Sequence, residues 1–206
     1  MEGLIEGTFN RAQTQEFVKQ YGVIPLHNHN HHGPLYIVCP DHLWRARIAE
    51  VVYEEGTGRL FAHGVPHNEL YLQFAEELGI SRDVMWGTDY CAEALAIRNY
   101  YTQGCSKSFL EGVSAHMLAG EAQGPGWFTK IADKLKANFS LSDRGVAFWV
   151  IHDSADEDHS SIGKELLDKF AKTETDLKLV VSTVRNTLAM SKMFDDGVYW
   201  RLQTLA

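Results

Sequence analysis

The chain has 206 residues, of which 45% are hydrophobic and 22% charged, and its formal net charge is −8. This composition is typical of a globular protein with a large buried core and excludes a disordered chain. No stretch approaches the roughly 18 consecutive apolar residues of a membrane-spanning helix, so no membrane partner is expected. The negative charge would repel a phosphate backbone, which argues against a nucleic-acid partner.

The N-terminal residues lack the basic and then apolar pattern of a secretory signal peptide. The three cysteines, Cys39, Cys91 and Cys105, are an odd number without CxxC spacing, which favours neither a disulfide framework nor a zinc ribbon. We therefore expect a cytoplasmic protein. The ten histidines are many for this length, and they make metal binding the first chemistry to consider.

Apolar residues recur at helical spacing along most of the chain, whereas strand-like alternation is short wherever it occurs. The pattern predicts an all-α protein, a bundle of seven to eight helices in a single domain over residues 1–206. The predicted helices cover about 14–21, 41–56, 67–78, 89–103, 108–122, 128–137, 142–171 and a last segment that begins near Thr173. Asp41 is the predicted N-cap of the second helix, and the GlyProGly sequence at 124–126 is expected to terminate the fifth.

Two further features of the pattern bear on the fold. The last helix has an apolar stripe, formed by Leu177, Val180, Val181, Val184 and Leu188. The sequence HNHNHHGP at 27–34 favours a loop or a helix break. Such a tract can chelate metals, but its spacing brings alternate side chains together only in an extended segment. We therefore expect its histidines, His27, His29, His31 and His32, to be loop residues rather than ligands.

The strongest chemical signal lies in the seventh helix, in the sequence FWVIHDSADEDH at 148–159. His152, Asp156 and His159 follow one another at intervals of four and three residues, which places them on one face of a helix. Continuing that face in both directions reaches Trp149 and Leu166, so it is the inward face. Burying two imidazoles and a carboxylate without partners would cost several kcal/mol, and a bound divalent metal would supply the partner. The alternative is an exposed patch in an acidic helix.

Three other helices carry an ionisable residue on an apolar face. In the second helix, Glu55 lies among apolar positions and Glu54 lies at their edge; His67 shares the inner face of the third helix, and Glu121 ends the apolar fifth helix. Each residue alone is more typical of a solvated helix end. Together they supply imidazole and carboxylate groups from four helices, as in a carboxylate-bridged di-iron site within a bundle core.

These elements, YEEGTG, PHNELYLQFAEELG, Glu121 and the HxxxDxxH motif, resemble those of the haem-oxygenase-like di-iron oxidases and oxygenases. The resemblance covers about half of the chain. It implies a haem-oxygenase-like helical bundle without haem, two Fe(II) ions, and O2 as cosubstrate. It also implies a metal-ligand set drawn from Glu54, Glu55, His67, Glu121, His152, Asp156 and His159. Glu121 and His152 are the expected catalytic residues.

The sequence departs from the family pattern in two places. The loop before His67 looks long for the family, so His63 is a rival to His67 as a ligand. It also leaves open whether Glu54 or Glu55 is the carboxylate ligand of the second helix. The first-helix glutamate of the pattern has no clear counterpart, because Glu16 lies early and Gln20 occupies the nearer position. Some members of the family hold the second ion weakly, so the resemblance also allows a labile second iron.

The resemblance implies a small-molecule substrate, such as an amino acid or a fatty acid. The expected reactions are oxidative C–C cleavage, N-oxygenation or a nitrile-forming rearrangement, and relatives of this kind can require an external electron donor or form homodimers. Arg98 and Arg185 could pair with a carboxylate, which favours an amino acid, although arginines are more often at the surface. The competing hypothesis is a metal-independent enzyme of the same fold, similar to thiaminases or to enzymes of quinone-cofactor synthesis.

Overall fold

The computed structural model describes residues 1–123 and 126–205. Within these residues the chain folds into helices and turns, which confirms the predicted all-α class. The α-helices are α1 Glu2–Glu6, α2 Arg11–Tyr21, α3 His29–Val38, α4 His42–Thr57, α5 His67–Glu77, α6 Arg82–Trp86, α7 Ala92–Lys107, α8 Phe109–Gly112, α9 Phe128–Phe139, α10 Asp143–Phe170 and α11 Glu174–Gln203. A π-helical segment, Val113–Gly120, continues α8, and a short 3-10 turn, Glu121–Gln123, follows it.

Short polar side chains fix where the long helices begin. Asp41 caps α4 by accepting hydrogen bonds from the backbone N–H groups of Leu43 and Trp44, at 2.8 and 3.3 Å. Ser142 caps α10 in the same way, and Thr173 forms a capping box with Asp176 at the start of α11. These caps satisfy N–H groups that have no partner within the helix. The predicted starts near 41, 142 and 173 therefore agree with the structure.

Helix α10 is the central element, because it packs against α5, α9, α4 and the π-helical segment. Phe148 and Trp149, near its start, are buried in the larger apolar cluster of the core. Ile162 and Leu166, further along, belong to a second apolar cluster that includes residues of α3, α4 and the π-helical segment. Asp156 and His159 lie along α10 between the residues of these two clusters, and both are buried.

The histidine-rich tract is helical, and the predicted loop at 27–34 is wrong. Helix α3 runs through Gly33 and Pro34, and His31, His32 and Leu35 are buried within it. Proline removes one backbone hydrogen bond from a helix, but α3 packs against both α4 and α7. Packing of its buried face offsets the unfavourable local propensity.

The apolar stripe of the last helix does not form its buried face. Leu177, Val181 and Leu188 are 54%, 49% and 46% exposed, whereas Thr183 and Thr187 are buried. The hydroxyl of Tyr100 in α7 lies 3.2 Å from that of Thr187 and donates to the carbonyl of Thr183. The Thr187 hydroxyl can be buried because it also donates to the carbonyl of Thr183 in its own helix, at 2.9 Å.

The structure locates other boundaries differently. Helix α7 begins at Ala92 rather than near residue 89, and the two short helices α1 and α6 are additional. The expected terminator at 124–126 lies partly outside the described residues, since only Gly126 is described. Among the residues the structure describes, none of the helices combines the length and the hydropathy required to cross a bilayer.

The turn between α4 and α5 depends on Gly58. This residue has φ of 62°, and a Cβ atom there would lie 1.9 Å from the carbonyl oxygen of Val65. Gly56 lies in the same helix end with open space around it.

We expect Gly58→Ala to lower the free energy of unfolding by about 2 kcal/mol or more, because both backbone strain and a backbone clash oppose the methyl group. Gly56→Ala, the matched control, should be neutral or stabilising by about 0.5–1 kcal/mol. Urea unfolding of the two variants measures this difference. Equal stabilities would show that the 58–65 turn is not constrained as described.

Candidate metal centre

Histidine and carboxylate side chains from five elements converge in the interior of the bundle. They come from α3, α4, α5, α10 and the π-helical segment with its following turn. Among the described residues, three groups have candidate ligand atoms within 4.8 Å of one another. The groups are Glu55 with His67 and His152, Glu121 with Asp156 and His159, and Glu121 with His32 and His116.

The first group joins α4, α5 and α10. His67 Nδ1 lies 3.3 Å from Glu55 Oε1, and the rings of His67 and His152 are 4.8 Å apart. The Nδ1–H of His152 donates to the backbone carbonyl of Phe148 at 2.6 Å, which leaves its Nε2 atom free as a ligand. Asn28 donates to the other oxygen of Glu55 at 2.5 Å. Such contacts fix the tautomer and the orientation of metal-binding side chains.

Glu54 is completely buried and has a different environment from Glu55. Its carboxylate accepts hydrogen bonds from the backbone N–H groups of Leu60 and Phe61, at 2.5 and 3.1 Å, and from His67 Nε2 at 3.0 Å. It therefore holds the α4–α5 turn and orients the His67 ring, while Glu55 presents its carboxylate to the group.

His63, the rival of His67, is exposed in the α4–α5 turn with φ of 52°. His67 is buried. The structure thus brings Glu55 and His67 together and leaves His63 outside.

The second group joins α10 to the end of the π-helical segment. His159 Nδ1 lies 3.7 Å from Glu121 Oε2 and 3.9 Å from Glu55 Oε1. Asp156 and His159 are buried, and Asp156 Oδ1 and both ring nitrogens of His159 have no hydrogen-bond partner. Buried polar atoms are rarely left unpaired in native proteins. Unpaired nitrogen and oxygen atoms beside two carboxylates fit a bound metal ion.

The third group contains two residues outside the predicted ligand set. His32 Nε2 and His116 Nε2 are 2.8 Å apart, and they lie 3.6 and 3.4 Å from Glu121 Oε1. His32 was expected in a loop, and His116 was not singled out. Five residues separate His116 from Glu121, which in an α-helix is a rotation of about 500° and places them on different faces. The wider π-helix brings positions five apart close together, and π-helices leave little trace in apolar periodicity.

Electrostatic compensation stabilises these buried charges. Burial opposes ionisation of Glu55 and Glu121, but neighbouring imidazoles hold the pKa of each carboxylate well below its ordinary value. Burial also disfavours charge on His67, yet Glu55 and Glu54 raise its pKa to about 9. Burial together with the adjacent Glu121 raises the pKa of Asp156 well above its ordinary value. The centre is therefore a set of coupled charges rather than a neutral core.

Two imidazoles in the centre are kept neutral. Burial, together with the nearby His67, lowers the pKa of His152 to about 4. Burial, together with the nearby His32, lowers the pKa of His116 to about 4. Neutral imidazole is the form that binds metals.

A cavity of about 180 Å³ adjoins the centre. Glu55, Glu121, His152 and Asp156 contribute to its wall, with His32 and His116. The remaining wall is mainly aromatic and aliphatic, with Tyr21, Ile24, Ile97, Tyr101, Trp127, Phe128, Phe148 and Phe194. Most of the space beside the ligands is thus apolar, as in many small-molecule sites.

Helix α2 contributes no carboxylate to the three groups. Glu16 pairs with Lys19 and Arg201, and Gln20 donates to Glu16 and to the carbonyl of Asp89. Both side chains are therefore engaged in linking α2 to α11 and to the turn before α7. The structure places neither candidate for the first-helix ligand in the centre.

Sequence comparison assigns the chain to a known group of proteins. The model of the family described as iron-containing redox enzymes matches residues 15–192. The chain belongs to this family. The match includes the elements that carry His32, Glu55, His67, Glu121 and the HxxxDxxH motif.

Similar proteins share the fold. A domain of unknown function from Shewanella denitrificans, described as having a haem-oxygenase-like fold, superposes with a TM-score of 0.78 at 15% identity, over 99% of this chain and 84% of that chain. A CADD-like protein of unknown function from Nostoc punctiforme gives a TM-score of 0.77 at 13% identity, over 97% and 86% of the two chains. These similarities confirm the predicted haem-oxygenase-like fold.

One relative has a named activity. The 4-aminobenzoate synthase of Chlamydia pneumoniae is 26% identical over 169 residues, which are 82% of this chain and 73% of that protein.

Substitution of Glu54 tests whether its hydrogen bonds hold the α4–α5 turn and the His67 ring in place. We expect Glu54→Ala to lower the free energy of unfolding by about 3 kcal/mol, because two backbone N–H groups and His67 would lose a buried acceptor. For a protein of this size that corresponds to a fall in Tm of about 6–12 °C. Glu50→Ala, an exposed position one turn earlier in α4, should change stability by less than about 0.5 kcal/mol. A similar Tm for both variants would contradict the role given to Glu54.

Proposed function

We propose that this protein is a non-haem di-iron enzyme that uses O2 to oxidise or oxygenate a small molecule. Membership in a family of iron-containing redox enzymes supports the coarser part of this statement. The observation that carries the finer part is the pair of adjoining ligand groups, Glu55–His67–His152 and Glu121–Asp156–His159. Mixed imidazole and carboxylate sets with open positions suit Fe(II) that reacts with O2.

The two groups lie close enough to share carboxylates. Glu55 Oε1 is 3.3 Å from His67 Nδ1 in one group and 3.9 Å from His159 Nδ1 in the other. Glu55 is therefore within reach of both groups, and iron bound here would be held by Glu55 together with His67 and His152 and with Asp156 and His159. Two Fe(II) ions held there would supply the electrons that activate O2.

The surrounding residues prepare the site before any ligand arrives. Glu54 accepts the Nε2–H of His67, so Nδ1, which faces Glu55, is the nitrogen on which a metal ion would replace the proton. The Phe148 carbonyl accepts the Nδ1–H of His152, so the Nε2 atom of that ring remains free. The contacts therefore fix which nitrogen of each ring can coordinate.

We assign Glu121 and His152 to the catalytic machinery, since both offer a candidate ligand atom and both line the cavity. A substrate in the cavity would contact both side chains directly. The mainly apolar wall lowers the local polarity beside both side chains, which strengthens electrostatic interactions there.

The cavity also bears on the substrate. Its volume of about 180 Å³ and its aromatic lining favour a compact molecule with an apolar part. The carboxylate contact expected from Arg98 or Arg185 has no support, because neither lines the cavity. Among the substrates expected from the sequence, an amino acid with an apolar side chain fits this space better than an extended fatty acid. The reaction class stays among C–C cleavage, N-oxygenation and nitrile formation, and we expect an external electron donor.

The alternative is a metal-independent enzyme of the same fold, similar to thiaminases or to enzymes of quinone-cofactor synthesis. Such an enzyme would have no need of unpaired nitrogens on His159 beside Glu55 and Glu121. The composition of the centre therefore favours the metal-dependent function.

Anaerobic loading of the metal-free protein with ferrous iron tests the proposal. We expect the loaded protein to take up O2 rapidly and its iron to become ferric, as followed with an oxygen electrode and by Mössbauer spectroscopy. His152→Ala and Glu121→Gln should each lower the iron content and slow O2 uptake by at least about tenfold, since loss of a ligand or its support costs that much in metal sites.

Asp158→Asn is the matched control, because Asp158 is exposed on the same helix. It should bind iron and consume O2 like the unmodified protein. Iron content near zero in the unmodified protein, or O2 uptake that is unaffected by His152→Ala, would contradict the proposed function and favour the metal-independent alternative.

A further inference from the structure

We propose that His32, His116 and Oε1 of Glu121 form a third metal-binding position, distinct from the two iron groups. The inference adds a ligand set of two imidazoles and one carboxylate to the proposed di-iron centre. It rests on the proposed function only in that Glu121 is shared, and the experiment below separates the two.

The spacing of the three atoms is that of ligands around one ion. His32 Nε2 and His116 Nε2 are 2.8 Å apart, and they lie 3.6 and 3.4 Å from Glu121 Oε1. Ligands about 2.0–2.1 Å from a transition metal, at angles between octahedral and tetrahedral, are separated by about 2.9–3.4 Å. Each observed separation is within about 0.2 Å of that range. Two segments that are far apart in the sequence, α3 and the π-helical segment with its following turn, thus bring their ligand atoms to one point.

The backbone at this position is specialised. His116 lies in the π-helical segment Val113–Gly120, and π-helical turns occur often at functional sites. His32 lies in α3, which forms despite Gly33 and Pro34. Both rings are buried, at 3% and 6% exposure. Two unfavourable backbone features therefore accompany one contact between buried imidazoles.

The two oxygens of Glu121 point to different neighbours. Oε1 faces His32 and His116, whereas Oε2 lies 3.7 Å from His159. This division suits a carboxylate that joins two ions, one in the group of Asp156 and His159 and one beside His32. His32, His116 and Glu121 also line the cavity, so a small molecule can reach an ion held there.

The competing explanation is a simple hydrogen bond between the two imidazoles. One Nε2–H would donate to the lone pair of the other ring, and no metal would be required. The two explanations differ in what the nitrogens do, because a metal uses both lone pairs whereas a hydrogen bond uses one.

Cobalt(II) distinguishes them, since it binds imidazole and carboxylate sites and its visible absorption reports the coordination. The full-length protein is freed of metal, loaded with excess Co(II) under anaerobic conditions, gel-filtered and measured for cobalt per chain. We expect three equivalents, one for each group. The double variant His32→Gln with His116→Gln should bind two and should lose part of the visible absorption.

His29→Gln is the matched control, because His29 is exposed on the same helix as His32; it should retain all three equivalents. The single variant His116→Asn repeats the test if the double variant fails to fold, as judged by circular dichroism. Cobalt content that is the same with and without the two imidazoles would overturn the proposal. A fall from two equivalents to one would also overturn it, since the imidazoles would then be ligands of an iron position.

A second double variant, His67→Ala with His152→Ala, distinguishes failure of the third metal position from failure of the proposed function. It should lose one equivalent of cobalt and keep the absorption assigned to His32 and His116. Unchanged cobalt in this variant would contradict the first iron group and leave the third position standing.

Discussion

Charge has to be compensated inside the bundle. Carboxylates and imidazoles from five elements are buried between two apolar clusters, where unpaired charges would cost several kcal/mol each. Glu55 illustrates the balance, because imidazoles from three helices keep it ionised despite burial. Side chains of this kind are retained in a core only if they compensate one another or bind a cation. The packing of α10 against α5 and the π-helical segment therefore has to bury apolar side chains and also bring these carboxylates and imidazoles together.

Much of this centre could be predicted from the sequence because α10 is a regular helix. The four- and three-residue intervals from His152 to His159 define one face in any α-helix, and the same reasoning places Glu55 and His67 inward. Glu54 and Glu55 could not be separated, since their environments depend on the turn at 58–65. The carboxylate of Glu54 is used by backbone N–H groups of that turn, and such hydrogen bonds have no signature in residue spacing.

His32 and His116 show where sequence reasoning fails. Local signals in the tract at 27–34 favour a loop, but burial against α4 and α7 produces a helix. The π-helical geometry likewise changes which residues share a face, so His116 meets Glu121 at a spacing that α-helical periodicity does not predict. In both cases tertiary packing, rather than propensity, decides the backbone conformation. The fold class was accessible from periodicity, whereas the full set of ligand atoms was not.

We propose that imidazoles and carboxylates of the core, and not surface histidines, hold iron. Crystals of the anaerobically iron-loaded protein, measured at the iron absorption edge, test this most directly. We expect anomalous-difference peaks within coordination distance of Glu55, His67 and His152 and of Glu121, Asp156 and His159. Peaks confined to exposed residues such as His29 or His63, with none in the core, would contradict it.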